Sequence, residues 1–147
     1  MRVVLGVSGA SGAALAMDCA AALRRAGAAV DLVLSAMAER TLAEEIGPDA
    51  ADRLRAMAAR VHPLGDLGAS IASGSSPVAG MIVAPCSMRS LAAIAHGLDD
   101  NLLTRAAGTL DPDAVSKAMA AIPTASPAGA IGDLFDTQPA RQTLASR

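Results

Sequence analysis

A short loop of small residues between a buried strand and a helix constrains the fold most. The run Arg2–Val7 is apolar and β-branched, which is typical of a strand buried in a parallel sheet. Residues 13–26 are rich in alanine and leucine and stop at Gly27, so they predict a helix. Between them lies the first loop (residues 8–12), which carries no bulky side chain. This strand–loop–helix unit predicts an α/β fold.

The same alternation continues along the chain. Residues 30–34 and 81–84 predict two more buried strands, and residues 65–79 predict a long Gly/Ser/Pro-rich loop with one helical turn. Further helices are predicted at about 37–46, from a cap at Asp49 to about 60, at 87–95, at 101–107 and from Asp111 onward, with a possible short one near Leu134.

Repeated strand–helix units define the predicted architecture. We expect a three-layer, Rossmann-like (flavodoxin-like) parallel sheet with helices on both faces. Right-handed crossovers then bring the strand-to-helix loops together at the carboxyl edge of the sheet, where a ligand is expected. Residues 1–107 form the predicted ligand-binding domain, and residues 108–147 form a divergent helix and tail of the same domain.

The first loop is the leading candidate for a ligand contact. Gly9, Ala10 and Gly12 allow a phosphate to approach the backbone closely, and the following helix offers unpaired N–H groups and a positive dipole end. Ser8 and Ser11 add hydroxyl groups. The loop is neither a Walker A sequence nor a GxGxxG fingerprint. A tight turn without a ligand is the alternative interpretation.

Other small or hydroxyl-bearing residues extend this candidate site. Ser35 follows the second strand, and Ser73 and Gly74 lie in the Gly/Ser/Pro-rich loop, which is alternatively a linker. Residues 86–90 follow the strand at 81–84 and open a helix, so their N–H groups are expected at the shared edge. Cys86 is interpreted as a small packing residue rather than a nucleophile.

Charge and cysteine content exclude several classes of function. The net charge is −2, no Lys/Arg block exists, and Phe135 is the only aromatic residue, so no nucleic-acid partner is expected. No apolar run reaches the length of a membrane span, and the first residues predict a strand rather than a signal peptide, so a cytoplasmic protein is expected. Cys19 and Cys86 predict neither a disulfide framework nor a metal site.

Alanine dominates the hydrophobic residues of the chain. Each alanine buries little area, so a monomer core gains less per residue than one built on larger side chains. Burial between subunits, and hence a homo-oligomer, is one interpretation. The other is a GC-rich genome that enriches alanine without structural consequence.

Taken in order, these segments resemble the UbiX-like flavin prenyltransferases, a family that includes the flavoprotein B subunits associated with hydroxyarylic acid decarboxylases. The resemblance runs from Met1 to about Ala107. The segments that carry it are Gly9-Ala10-Ser11-Gly12-Ala13, Ala72-Ser73-Gly74-Ser75, Pro85-Cys86-Ser87-Met88 and Asp100-Asn101-Leu102-Leu103-Thr104-Arg105-Ala106-Ala107.

The resemblance implies FMN, or its prenylated form, bound at a subunit interface of a trimer-based, often dodecameric, assembly. Ser11 and its flanking glycines would hold the phosphate region of FMN. Glu45 would be an acidic residue of the active-site wall and Arg105 would lie near the flavin, which makes these two the candidate catalytic residues. The implied cofactor-binding residues are Gly9, Ala10, Ser11, Gly12, Ser35, Ser73, Gly74, Cys86, Ser87, Met88, Ser90 and Arg105.

The implied activity is transfer of a dimethylallyl group from dimethylallyl phosphate to reduced FMN, which makes the prenylated flavin used by a partner decarboxylase. The last third of the chain is short and divergent, and lacks the tyrosine and the Pro-Arg-Glu sequence of the family. This favours a second hypothesis, a non-catalytic FMN or prenyl-FMN binding or accessory protein. A third is a flavin-dependent reductase or cysteine-type decarboxylase on the same fold, whose Ala95-His96-Gly97 segment is shared.

Overall fold

The computed structural model describes residues 1–110 of the chain. The helix predicted from Asp111 onward, the predicted short helix near Leu134 and the rest of the tail lie outside the described residues.

A parallel sheet of four strands forms the middle layer. Its strands are β1 (Arg2–Val7), β2 (Ala29–Leu34), β3 (Arg60–His62) and β4 (Gly80–Val83). They lie in the order β3-β2-β1-β4, with all neighbouring pairs parallel. The predicted parallel α/β sheet is confirmed.

Within residues 1–110, five helices and one 3₁₀ turn accompany the strands, and the last two helices follow β4. These elements are α1 (Ala13–Arg25), α2 (Ala36–Glu45), α3 (Ala50–Met57), α4 (Met88–Ala95), α5 (Leu102–Gly108) and the 3₁₀ turn Ser70–Ala72. The predicted cap at Asp49 is wrong, because its side chain makes no capping hydrogen bond and its carboxylate lies 3.7 Å from Arg53 instead. The helix predicted to reach residue 60 ends at Met57, and β3 follows it.

Alternate residues of β1 face opposite layers. Leu5 and Val7 pack with Ala16 and other alanines of α1 on one face, whereas Val4 packs with Leu103 of α5 on the other. Because alanine side chains are small, α1 can lie close to the sheet. Helices therefore cover both faces, as predicted.

A buried polar cluster joins three strands on the α5 face. Asp31 is almost fully buried and accepts hydrogen bonds from Arg2 Nε and His62 Nε2, both at 2.9 Å. The buried carboxylate is thus satisfied by partners on both neighbouring strands. This contact holds the short edge strand β3 against β2 and gives His62 a structural role.

Strand order places a topological switch point at the carboxyl edge between β1 and β4, and the space beside the loops that follow these two strands is called the crevice below. The chain leaves β1 through α1 toward β2, whereas β4, added on the opposite side of β1, leads into α4. The loops that follow β1 and β4 therefore diverge. This topological switch point is where parallel α/β sheets bind their ligands.

Candidate functional site

Ser8 ties together the two loops that border the crevice. Its backbone N–H and its hydroxyl both donate to the carbonyl oxygen of Pro85, at 3.2 and 3.0 Å. The same hydroxyl accepts from the backbone N–H of Ser87 at 2.6 Å. The side chain is buried, so Ser8 joins the loops internally and does not face a ligand.

Gly9 brings the first loop against the start of α2. A Cβ built on Gly9 would lie 2.3 Å from Cβ of Met37, closer than two carbon atoms can approach. Ser35 follows β2 and caps α2, since its hydroxyl accepts from the N–H of Ala38 at 3.1 Å. The first loop thus contacts both neighbouring strand-to-helix connections, and the predicted meeting of three loops at one edge is observed.

Glu45 places a carboxylate on the N-terminus of α1. Gly12, in the left-handed region with φ of 99°, and Ala13 donate their N–H groups to Glu45 Oε2 at 3.0 and 2.7 Å. Hydrogen bonds from Ala13, Gly12 and the Ser11 side chain hold the pKa of Glu45 below its ordinary value. The N–H groups that the loop sequence offers to a phosphate therefore bind a residue of the chain itself.

Hydroxyl groups line the opposite wall of the crevice. Ser87 caps α4, since its hydroxyl accepts from the N–H of Ser90 at 3.2 Å, and it donates to the Ser90 hydroxyl at 3.1 Å. Met88, the next residue, is 77% exposed. Burial raises the pKa of the Cys86 thiol, so this cysteine is a weak nucleophile, in line with its interpretation as a packing residue.

Ser73 and Gly74 lie away from these loops within one chain. The Ser73 hydroxyl bonds to that of Ser75 at 2.9 Å, and Gly74 faces the carbonyl of Thr109 beyond the end of α5. A loop that precedes a parallel strand reaches the amino edge of the sheet, and Ala79 indeed bonds to Arg2 there. The structure does not bring these two residues to the crevice of their own chain.

Arg105 lies on α5 and pairs with the acidic loop (residues 99–100) that precedes this helix. Its Nη1 donates to Asp99 Oδ2 at 3.0 Å, and the adjacent Asp100 pairs with Arg89 of α4. Among the described residues, its side chain bonds to this loop rather than to the first loop or to residues 86–90.

Large apolar side chains stand exposed around the crevice. Leu15 follows the first loop on α1, Met37 contacts Gly9, and Met88 and Leu91 begin α4; each is more than half exposed. Such a rim suits the flat apolar face of a ligand or a neighbouring molecule.

Within residues 1–110, no helix has the length and apolarity that crossing a membrane requires.

Sequence reasoning missed the contacts that organise this site. Ser8 was predicted to offer its hydroxyl to a ligand, and Met37 was not predicted as a site residue. Their contacts join distant parts of the chain and therefore appear only in the folded structure. The sequence offered one signal for Ser8, which is its position directly after a buried strand, where side chains have little access to solvent.

These features define an α/β protein with a ligand crevice at a topological switch point. The family model described as Flavoprotein matches residues 1–129. The chain belongs to this flavoprotein family.

Individual relatives show which flavoproteins the chain resembles. The flavin prenyltransferase UbiX of Thauera aromatica is 50% identical over 107 residues, which are 73% of this chain and 55% of that protein. The crystal structure of AnUbiX (PadA1) in complex with FMN and dimethylallyl pyrophosphate matches with a TM-score of 0.70 and 41% identity, over 74% of this chain and 57% of that one. A dodecameric FMN-dependent UbiX-like decarboxylase from Escherichia coli O157:H7 matches with a TM-score of 0.69 and 40% identity, over 74% and 60%.

These matches confirm the resemblance to the UbiX-like flavin prenyltransferases. The chain spans about half the length of the curated relatives that it matches.

Proposed function

We propose that this protein binds FMN in the crevice between β1 and β4 and takes part in flavin prenylation. The observation that carries the proposal is the junction of the first loop with residues 85–87 at the switch point, in a chain 41% identical to a protein crystallised with FMN and dimethylallyl pyrophosphate.

The residues at the crevice fit a flavin. Gly9 lets the first loop pack closely against Met37 at the start of α2, and we propose that the hydroxyls of Ser11, Ser35, Ser87 and Ser90 supply polar contacts to the flavin. The exposed methionines and leucines of the rim supply apolar surface for a ring system. We propose that Ala10, Gly12, Cys86 and Met88 complete this set through their backbone and packing.

Glu45 has the charge and position of a proton acceptor beside the first loop. Its lowered pKa keeps the carboxylate ionised at neutral pH, and the N–H groups of Gly12 and Ala13 hold the carboxylate next to Ser11. We propose that it accepts a proton through the Ser11 hydroxyl and that Arg105 contributes positive charge to cofactor binding. Bound reduced FMN would supply the nucleophile, and its new bond to the dimethylallyl carbon would form as the bond of that carbon to phosphate breaks and inorganic phosphate leaves.

Ser73 and Gly74 lie at the amino edge of their own chain, away from its crevice. They can therefore contact FMN only when it is bound to a neighbouring copy of the chain. We therefore propose a cytoplasmic homo-oligomer, built from trimers and extending to a dodecamer. The exposed apolar side chains and the dodecameric relative support this assembly. A partner decarboxylase that uses prenylated FMN is part of the same proposal.

An anaerobic incubation of purified protein with reduced FMN and dimethylallyl phosphate tests the proposed function. The flavin is extracted and weighed by mass spectrometry, and Glu45→Gln and Arg105→Ala are run beside the unaltered chain. Prenylated flavin is the expected product, at a reduced rate in both variants. Recovery of unmodified FMN in stoichiometric amount would instead identify a non-catalytic flavin-binding protein, and recovery of no flavin would overturn the proposal.

A further inference from the structure

Ser8 is the buried residue of the first loop. Only 2% of its surface is exposed, whereas Ser11 three residues later is exposed. Its hydroxyl has a single proton, which it donates to the Pro85 carbonyl, and it accepts the Ser87 N–H. The side chain is therefore fully engaged within the protein and makes no direct contact with a ligand in the crevice.

These bonds continue the pairing of β1 and β4 past the last backbone hydrogen bonds between the two strands. The last register pair of β1 and β4 is Gly6 with Val83, and Ala84 then bonds to the Gly6 carbonyl at 3.0 Å. Past this point the chain turns toward α1 on one side and α4 on the other, so the loops would separate without further bonds. Ser8 opposes this separation with three hydrogen bonds to Pro85 and Ser87.

A chain of hydrogen bonds carries this constraint to the far wall. Ser8 holds the Ser87 amide, and the Ser87 hydroxyl caps α4 and bonds to Ser90. The near wall carries Ser11 in the same loop as Ser8. The Ser8 side chain, together with the bond of its own backbone N–H to Pro85, thus links the polar groups of the two walls.

We propose that Ser8 is a positioning residue for the flavin site, one that sets the spacing of the first loop and residues 86–90. The inference rests on the proposed function for the identity of the ligand. The structural part of the inference is that Ser8 holds residues 86–90 in place. This part does not depend on which ligand binds. The Ser87 N–H is partly buried, so water replaces its bond only incompletely when the Ser8 hydroxyl is removed.

Three variants test the proposal: Ser8→Ala removes the hydroxyl, Ser8→Thr keeps it, and Ser70→Ala removes an exposed hydroxyl on the 3₁₀ turn. Two quantities are measured on each folded protein. One is amide hydrogen exchange of the flavin-free protein in peptides that span residues 85–91, and the other is the Kd for FMN from the quenching of its fluorescence.

Ser8→Ala is expected to exchange faster at residues 85–91 and to raise the Kd by up to about tenfold, the effect of losing one partly buried hydrogen bond. Ser8→Thr is expected to restore both quantities, and Ser70→Ala to change neither. Unchanged exchange, or an unchanged Kd in Ser8→Ala, would overturn the proposal. Failure of the unaltered protein to bind FMN would overturn the proposed function and the flavin part of this inference, while the exchange data would still decide whether Ser8 holds the loop.

Discussion

Two stretches of this chain are rich in glycine and serine, yet they are built differently. The first loop is joined to distant residues: Ser8 bonds to Pro85, Gly9 contacts Met37, and Glu45 caps the helix that follows. Residues 73–76 bond mainly among themselves, and Ser73 and Ser75 are exposed. Composition alone does not distinguish a ligand loop from a connecting loop. The difference follows from which end of a strand each one adjoins.

Gly9→Ala should produce the largest effect, because the added methyl would overlap Cβ and the backbone of Met37. We expect a loss of roughly 1–3 kcal/mol in the free energy of unfolding, the usual cost of overpacking, measured by urea denaturation. FMN affinity should fall with it. The matched control is Gly74→Ala, whose methyl would make only ordinary contact at 3.5 Å with the Thr109 carbonyl. An equal loss in the two variants would remove the contrast between the loops.

Glu45→Gln should loosen the start of α1 without unfolding the protein. The pKa of Glu45 is lowered in the folded chain, so its stabilising contribution is present above the ordinary value of 4.5 and is lost as the pH falls through the lowered value. In the unaltered protein, the amide NMR signals of Gly12 and Ala13 should therefore shift together at a pH below 4.5.

The glutamine variant should abolish this titration. Glu44→Gln is the control, because Glu44 pairs with Arg40 on the exposed face of α2. A titration of the Gly12 and Ala13 signals that survives in Glu45→Gln would show that another group controls the start of α1.

Cys86 should tolerate substitution in spite of its place in the site. Because burial raises the pKa of its thiol from the usual 9.0, little thiolate forms at neutral pH. In a Cys19→Ser background, Cys86 should react with a thiol reagent at pH 7 more slowly than free cysteine does. Cys86→Ala should retain prenyl transfer if the protein has it. Rapid modification together with loss of activity would assign Cys86 a chemical role.

Ser73→Ala should have the smallest effect. Among residues 1–110, the hydroxyl bonds only to the exposed Ser75, so we expect a change within about 0.5 kcal/mol in the free energy of unfolding. A large fall in FMN affinity in this variant, without a change in stability, would mean that Ser73 reaches the crevice of a neighbouring copy.

Much of the fold was predictable because its elements repeat a regular pattern. The strand Arg2–Val7 and the helix after it match their predicted bounds to within one residue. Strand β3 was missed because it has three residues, is largely exposed and is held by the contact of His62 with Asp31, which no local pattern reveals. Edge strands of this length carry too few apolar residues to predict.

The site was predictable in its location but not in its bonding. Parallel topology places the first loop and residues 86–90 at one edge, and that expectation is met. The cap by Glu45 and the bonds of Ser8 join residues more than thirty positions apart, which only the folded chain brings together. Ser73 and Gly74 were assigned through the family resemblance, and their place before β4 puts them at the opposite edge of the same chain.

Hydrogen exchange with and without FMN tests whether the first loop and residues 85–91 bind the cofactor together. The unaltered protein is compared by mass spectrometry on peptides that cover the first loop, residues 85–91 and residues 60–64 at the edge strand. We predict that FMN slows exchange in the first loop and in residues 85–91 and leaves exchange in residues 60–64 unchanged. Slower exchange elsewhere in the chain, with the first loop and residues 85–91 unaffected, would contradict it.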